Sequence, residues 1–295
     1  PDLFGAIVGF AARSDGFTED RSSDNVMGEL LVQWDATEDG MAYLKLGNSA
    51  KSGGWGAGVQ AEEKDLPYDD EKAKTFEIGY KTMLASGAAE LNVAAFYTEY
   101  DDLQVNSFNA DGDPAITNAG TSISQGIELD GRWAATDWLM LSGSLAFLDS
   151  EFDDFKNGPG TSTPIDEAGN VFRPEESDYS GLDRPFAPEW SGNVWVDVNQ
   201  PITDSMNFIG GLGISFSDDY YTEGSLDPEG KQDSWTKVDA RLGVEGSDGS
   251  WRVSVIGKNL TDENITNTYQ YFFGKQAFLQ TPLTIAVQAE YRFGN

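Results

Sequence analysis

No cysteine and no histidine occur among the 295 residues. The first absence removes disulfides, thiolate metal sites and thiol nucleophiles. The second removes the usual zinc and haem ligands and the commonest general base. Basic residues are scarce as well. There are 19 against 50 acidic ones, a formal net charge of −31, which excludes a protein that grips nucleic-acid phosphates. No apolar run approaches the ~18 residues that a membrane helix needs, and no stretch reads as a signal peptide. Pro1 runs straight into DLFGAIVGFAA, as a cut inside a longer protein would.

What the chain does hold is 39 % hydrophobic and 12 % aromatic residues, too much for a disordered polymer and enough for one large all-β domain or two ordinary ones. These residues alternate. IELDGRW (127–133) sets Ile127, Leu129, Gly131 and Trp133 against Glu128, Asp130 and Arg132. VDARLGVE (238–245), WRVSVIGK (251–258) and LTIAVQAEYRF (283–293) repeat the pattern. A period of two means strands with one apolar and one polar face. It predicts strands near 26–35, 41–50, 72–84, 88–104, 121–135, 138–151, 187–198, 206–221, 234–246, 250–260 and 283–293, with a further one within 3–13.

The connections between these strands are sorted by length. Short links at 36–40, 85–87, 135–137, 199–204 and 246–249 alternate with long ones at 51–71, 105–120, 152–186, 222–233 and 261–282. A soluble β-sandwich has no reason to place all short turns at one end, whereas an outer-membrane barrel does so. The polar faces carry mid-strand charge (Glu128, Asp130, Arg132, Asp239, Arg241), which suits a wet lumen better than a second sheet. On the apolar faces Trp34, Trp133, Trp251, Tyr291 and Phe293 fall near strand ends, where aromatic girdles form. The expected fold is therefore all-β, a transmembrane antiparallel β-barrel. A sandwich adhesin or carbohydrate-binding module is the soluble competitor.

Enzyme chemistry finds little purchase. Asp218 or Asp219 with Glu223 could be imagined as a glycosidase pair, but acidic loops in so acidic a chain are ordinarily just solvated. NADGDP (109–114) starts like a calcium loop, yet Pro114 stands where the turn glycine belongs and Gly120 where a bidentate Glu is needed. No phosphate-binding glycine loop or nucleophile elbow is present. SGG at 52–54 precedes no helical pattern and reads as flexibility at a loop base.

The segments KSGGW (51–55), DEKAKTFEIGYKTML (70–84), AAFYTEYDDLQV (94–105), NAGTSISQGIELDGRW (118–133), GKNLTDE (257–263) and AEYRF (289–293) resemble the C-terminal part of TonB-dependent outer-membrane receptors. They do so in the same order and spacing over nearly the whole chain. The resemblance implies a 22-stranded barrel filled by an N-terminal plug, with residues 1–295 as a single incomplete domain holding about the last 11–12 strands. It implies an outer-membrane location and several partners: lipid, the remaining strands and plug, a small-molecule ligand, and TonB acting through an N-terminal region outside this sequence. Such chains commonly finish on an aromatic; here Gly294 and Asn295 follow Phe293.

On this footing the chain is expected to catalyse no covalent chemistry and to hold no cofactor or metal of its own. The expected cargo is a ferric siderophore, with a carbohydrate or another scarce nutrient second and a passive porin as the alternative mode. Aromatics supply contact area for such ligands, and the external loops carry many. Trp55, Tyr68, Arg184, Tyr220, Tyr221, Tyr271 and Phe272 are the candidate ligand-contacting residues. Loop cations are few (Lys51, Lys64, Lys156, Arg173, Arg184, Lys231, Lys275), which favours a neutral or cationic ligand or binding by the rest of the protein. The lack of histidine argues against a haem receptor taking its axial ligand from these loops.

Overall fold

The computed structural model of the chain describes residues 20–56, 67–108, 114–158, 177–271 and 275–293. In chain order its strands begin with β1 (Gly28–Thr37), β2 (Gly40–Lys51), β3 (Gly54–Trp55), β4 (Pro67–Tyr68), β5 (Glu71–Leu84) and β6 (Ala89–Phe108). Next come β7 (Pro114–Thr136), β8 (Leu139–Asp154), β9 (Trp190–Thr203), β10 (Met206–Ser217), β11 (Tyr220–Tyr221) and β12 (Lys231–Gln232). The last are β13 (Trp235–Gly246), β14 (Trp251–Lys258), β15 (Thr266–Tyr271), β16 (Lys275–Leu279) and β17 (Thr284–Tyr291). The described residues contain no α-helix.

Eleven strands form one sheet in the order β1-β2-β5-β6-β7-β8-β9-β10-β13-β14-β17, each antiparallel to its neighbours. The other six pair off as β3-β4, β11-β12 and β15-β16. In such a meander successive connections fall at opposite ends. The five short turns therefore share one rim, and the other carries four long connections together with the extended β6-β7 hairpin. Among the described residues β1 pairs only with β2, and β17 only with β14. Lipid leaves no solvent for the free backbone groups of two such edges, so further strands must complete this wall.

Register turns the alternation of each strand into continuous faces. Ile127 lies opposite Ala95 and Phe147, Leu129 opposite Val93 and Leu145. Leu242 lies opposite Gly210 and Val255, and Val255 in turn opposite Val287. The result is an apolar band across the sheet whose large side chains are open to the surroundings, Ile285 at 66 % and Val287 at 74 %. In water such a surface would be a severe liability; against hydrocarbon it is the favoured contact. Trp34, Trp133, Trp251 and Tyr291 sit on this face at the short-turn rim, with Trp251 directly opposite Tyr291. Tyr291 and Phe293 pack edge to face at 4.8 Å.

The opposite face is polar and internally paired. Arg132 meets Glu90 at 2.9 Å, Arg241 meets Asp197 at 3.1 Å, and Arg252 meets Glu245 at 2.6 Å. Asn92 donates to Asp130 at 2.9 Å, and Tyr43 donates to Glu77 at 2.6 Å. Where a ring lies flat on this face the strand beneath it has a glycine. A Cβ on Gly213 would enter the Trp195 indole, and one on Gly79 the Tyr43 ring.

Most expected strands appear within a few residues of their predicted bounds, with instructive departures. The stretch 105–120, expected as a loop, is largely strand: β6 and β7 continue past the wall and pair as far as Phe108 opposite Pro114. The 206–221 strand ends at Ser217, after which Asp218 N–H turns to the Trp190 carbonyl. β17 is shorter than expected, although Arg292 N–H still reaches the Ser250 carbonyl at 2.8 Å. The small sheets inside the long connections have no periodicity that a window could detect. The expected strand within 3–13 and residues 109–113 of NADGDP lie outside the described residues.

Candidate functional site

At the long-connection rim the chain builds a packed layer. Its centre is Leu103, Val105, Ala119, Phe152, Phe155, Tyr179 and Leu226, with Tyr100 and Tyr221 against it. The residues come from the β6-β7 hairpin, the end of β8, the β8-β9 connection and the β10-β13 connection. Register puts Tyr100, Ser122 and Phe152 on the polar face of the wall, so this core stands on the lumen side. Phe155 meets Phe152 at 5.0 Å and Tyr179 at 5.6 Å, the latter edge to face. These are geometries in which the positive edge of one ring meets the negative face of the next. The Tyr179 hydroxyl donates to the Ser225 carbonyl at 2.6 Å, tying two connections together. Burial, reinforced by Glu223 and Asp227, pushes that phenol well above the usual tyrosine range.

Cations and rings border this core. The Arg184 guanidinium lies 5.0 Å from the centre of the Tyr100 ring, and the Lys231 ammonium 5.7 Å from that of Tyr221. Lys231 also pairs with Asp219 at 2.5 Å, which raises its pKa. Tyr221 is fixed by its strand partner Lys231 and by its carbonyl, which accepts from Phe186 N–H at 2.8 Å. Tyr220, its neighbour in β11, pairs with Gln232. Arg184, Tyr220 and Tyr221 thus gather around one structural unit.

Trp55 and Tyr68 belong to a second unit, the β3-β4 pair, in which Trp55 lies opposite Pro67 and Tyr68 opposite Gly54. The SGG run at its foot is not loose, contrary to the sequence expectation. Gly53 N–H donates to Asp70 at 2.7 Å, and a Cβ on Gly53 would strike the Tyr68 carbonyl and the Arg21 guanidinium. Tyr271 closes the strand pair β15-β16 opposite Lys275, and Phe272 lies outside the described residues. The β15-β16 pair is joined to the Tyr221 unit through Thr266 N–H, which donates to Gln232 at 2.6 Å.

The imagined carboxylate pair does other work. Asp219 holds Lys231, and Glu223 accepts the N–H groups of Ser225 at 2.7 Å and Asp227 at 2.6 Å, bracing a turn. No group of acidic side chains placed to hold a metal ion occurs among the described residues. Phe155 and Tyr179, which the sequence shows only as two of many loop aromatics, pack the connections together, whereas sequence reasoning missed the network around Asp70, which Ser23 and Asn25 reach across more than forty residues. No local signal marks such long-range polar contacts.

The GKNLTDE segment has a structural role. Asn259 is buried at φ +50, a conformation that asparagine tolerates better than most residues. Its amide donates to the carbonyls of Glu263 at 2.9 Å and Thr281 at 3.3 Å while its oxygen accepts from Glu263 N–H. One side chain thus pins both stems of the β14-β17 connection.

Comparison with known proteins agrees with this architecture. The chain is 26 % identical over 281 residues to the pesticin receptor of Yersinia enterocolitica, which covers 94 % of this chain and 36 % of that protein. It is 29 % identical over 203 residues to a probable TonB-dependent siderophore receptor, PiuA, of Acinetobacter baumannii, covering 66 % of this chain and 25 % of that one. The chain therefore spans about a third or less of the curated relatives it matches. Among solved structures, the ferric yersiniabactin uptake receptor FyuA of Yersinia pestis superposes with a TM-score of 0.70 at 20 % identity, over 90 % of this chain and 37 % of that one. At that identity the likeness is one of fold. The model of the TonB-dependent receptor-like β-barrel matches residues 7–261, and with its lipid-facing band, its paired inner face and its sorted connections the chain belongs to that family of outer-membrane receptors.

Proposed function

We propose that residues 1–295 form a single barrel segment of a receptor that takes up a ferric siderophore with energy delivered by TonB. In this reading the wall crosses the outer membrane, and the long connections face the outside. A plug domain, the remaining strands and the segment that engages TonB belong to the rest of the protein. The observation that carries the reading is the cation-and-ring rim at Arg184, Tyr100, Tyr221 and Lys231, held by a packed core on the lumen side of the wall. A rigid rim of rings and cations beside a wet lumen suits capture of an organic chelate before it passes inward. The probable siderophore receptor among its relatives supports the same class of cargo. Lys231 of the rim is already paired with Asp219, and Lys156 with Asp154 at 2.8 Å, which favours a chelate of little net negative charge.

The test is uptake of radiolabelled ferric siderophores by cells carrying the full receptor, before and after the proton gradient is collapsed. Uptake that saturates and stops on collapse is the expected result. Uptake that persists would mean a passive channel. Saturable, gradient-dependent uptake of a sugar but of no ferric chelate would make the cargo a carbohydrate. The Arg184→Ala and Tyr221→Ala variants are expected to raise the half-saturating concentration without changing the amount of folded barrel.

A further inference from the structure

The β3-β4 pair carrying Trp55 and Tyr68 is held at its foot by one carboxylate. Asp70 accepts from the Ser23 hydroxyl, from the Asn25 amide at 2.8 Å and from Gly53 N–H at 2.7 Å. The Arg21 guanidinium stands 3.7 Å from it and 3.0 Å from Asp69. Gly53 precedes β3 and Asp70 follows β4, so both stems of the pair meet at this group. The segment 21–25 is drawn against them from outside. On the other side Asp69 and Asn118 exchange two hydrogen bonds, at 2.7 and 3.1 Å, and the Gln104 amide reaches the carbonyls of Ser52 at 3.1 Å and Asp69 at 3.0 Å. The pair is thus clamped between a strap and the β6-β7 hairpin.

We infer that Asp70 is the positioning residue of the Trp55–Tyr68 pair, fixing through the 21–25 strap the angle at which these aromatics meet the ligand. The inference rests on the uptake reading above. Asp70 itself is turned to its donors, and its role is exerted through Trp55 and Tyr68. An ionised carboxylate accepts from all three of these donors at once. An asparagine of the same shape would set its own N–H₂ against one of them. A Cβ on Gly53 would strike the Tyr68 carbonyl and the Arg21 guanidinium, so the strap and both stems meet closely at this glycine.

The experiment measures iron uptake by the full receptor against the concentration of radiolabelled iron loaded onto spent medium from an iron-starved culture. Asp70→Asn is expected to raise the half-saturating concentration about tenfold, the loss of one hydrogen bond to a charged group. The maximal rate and the heat-modifiable migration of the folded barrel should not change. Trp55→Ala should do the same, and adding Asp70→Asn to a Trp55→Ala, Tyr68→Ala receptor should make it no worse, because Asp70 acts only through those two rings. Ser23→Ala should give a smaller loss in the same direction. A further loss when Asp70→Asn is added to the Trp55→Ala, Tyr68→Ala receptor, or an Asp70→Asn receptor with unchanged half-saturation, overturns the positioning role while leaving the uptake reading intact. If Trp55→Ala and Tyr68→Ala both leave half-saturation unchanged, the aromatics are not at the ligand, and it is the proposed site that fails.

Discussion

The wall and the loop layer bury opposite things. Most of the buried apolar side chains, from Leu103 and Phe152 to Tyr179, Leu226, Ile265 and Tyr269, lie in the long connections or the strand ends that carry them; Ala73 and Ile209 are the exceptions within the wall. The wall's own large residues, such as Leu129, Val255 and Val287, stand open on its outer face. One chain therefore obeys two solvents. The connections fold as a small water-soluble protein does, around a core, and the wall folds inside out, with its polar groups paired inward and its apolar groups turned to lipid. Stability in the first region depends on packing, and in the second on hydrocarbon and backbone pairing.

That division can be broken from either side. The largest effect is expected from Phe152→Ala, which empties the centre of the loop core at a cost of about 3–5 kcal/mol. Hydrogen exchange should accelerate in 177–182 and 223–227, while the barrel keeps its heat-modifiable migration. Loss of the folded barrel would show that the two regions are not separate. Leu129→Arg attacks the other region. An arginine at mid-depth on the lipid face costs about 2–4 kcal/mol, so the folded fraction in detergent or lipid should fall. An unchanged unfolding midpoint would mean that this face does not meet hydrocarbon.

Smaller changes sharpen the boundary. Asn259→Ala removes the pin between the stems of the β14-β17 connection and should cost about 1–3 kcal/mol, seen as faster exchange in 259–283 with the wall unaltered. The smallest response concerns pH. Hydrogen bonds from Ser23, Gly53 and Asn25, with Arg21 alongside, hold the Asp70 carboxyl well below the usual carboxylate range. A lowered folded pKa means stability that is full above the unfolded value of about 4 and is lost only as pH falls through the lowered one. Local opening of 51–56, read as exchange corrected for the intrinsic pH dependence of amide hydrogens, should therefore be flat from neutral pH to about 5. A rise in that interval would mean that the donors do not hold the charged form.

The two regions also differed in how far the sequence revealed them. Ile127 to Trp133 shows its faces by alternation alone, and register with Ala89–Ala95 adds only confirmation. The wall was legible because a strand between lipid and lumen must repeat every two residues. The loop layer was not. Tyr179 and Ser225 meet across 46 residues, and Asp70 meets Ser23 across 47, with no period to betray them. The aromatics chosen as ligand contacts were visible only as composition. The structure sorts them into two units around Tyr221 and Trp55, with Tyr271 in a strand pair joined to the first. Gly53 was misread because a glycine needed for close approach and one needed for flexibility look the same in one sequence.

Because every wall strand pairs with the next in sequence, each new hairpin can zip onto the one before it without waiting for distant chain. The loop core has no such freedom. Leu103 and Val105 lie on the β6-β7 hairpin, but their cover includes Tyr179 and Leu226 from two later connections. The outer layer can therefore close only after β10 has been laid down and its connection threaded outward. Until then Leu103, Val105 and Phe152 lack their cover, so the loop cap depends on more distant parts of the chain than any single hairpin of the wall does.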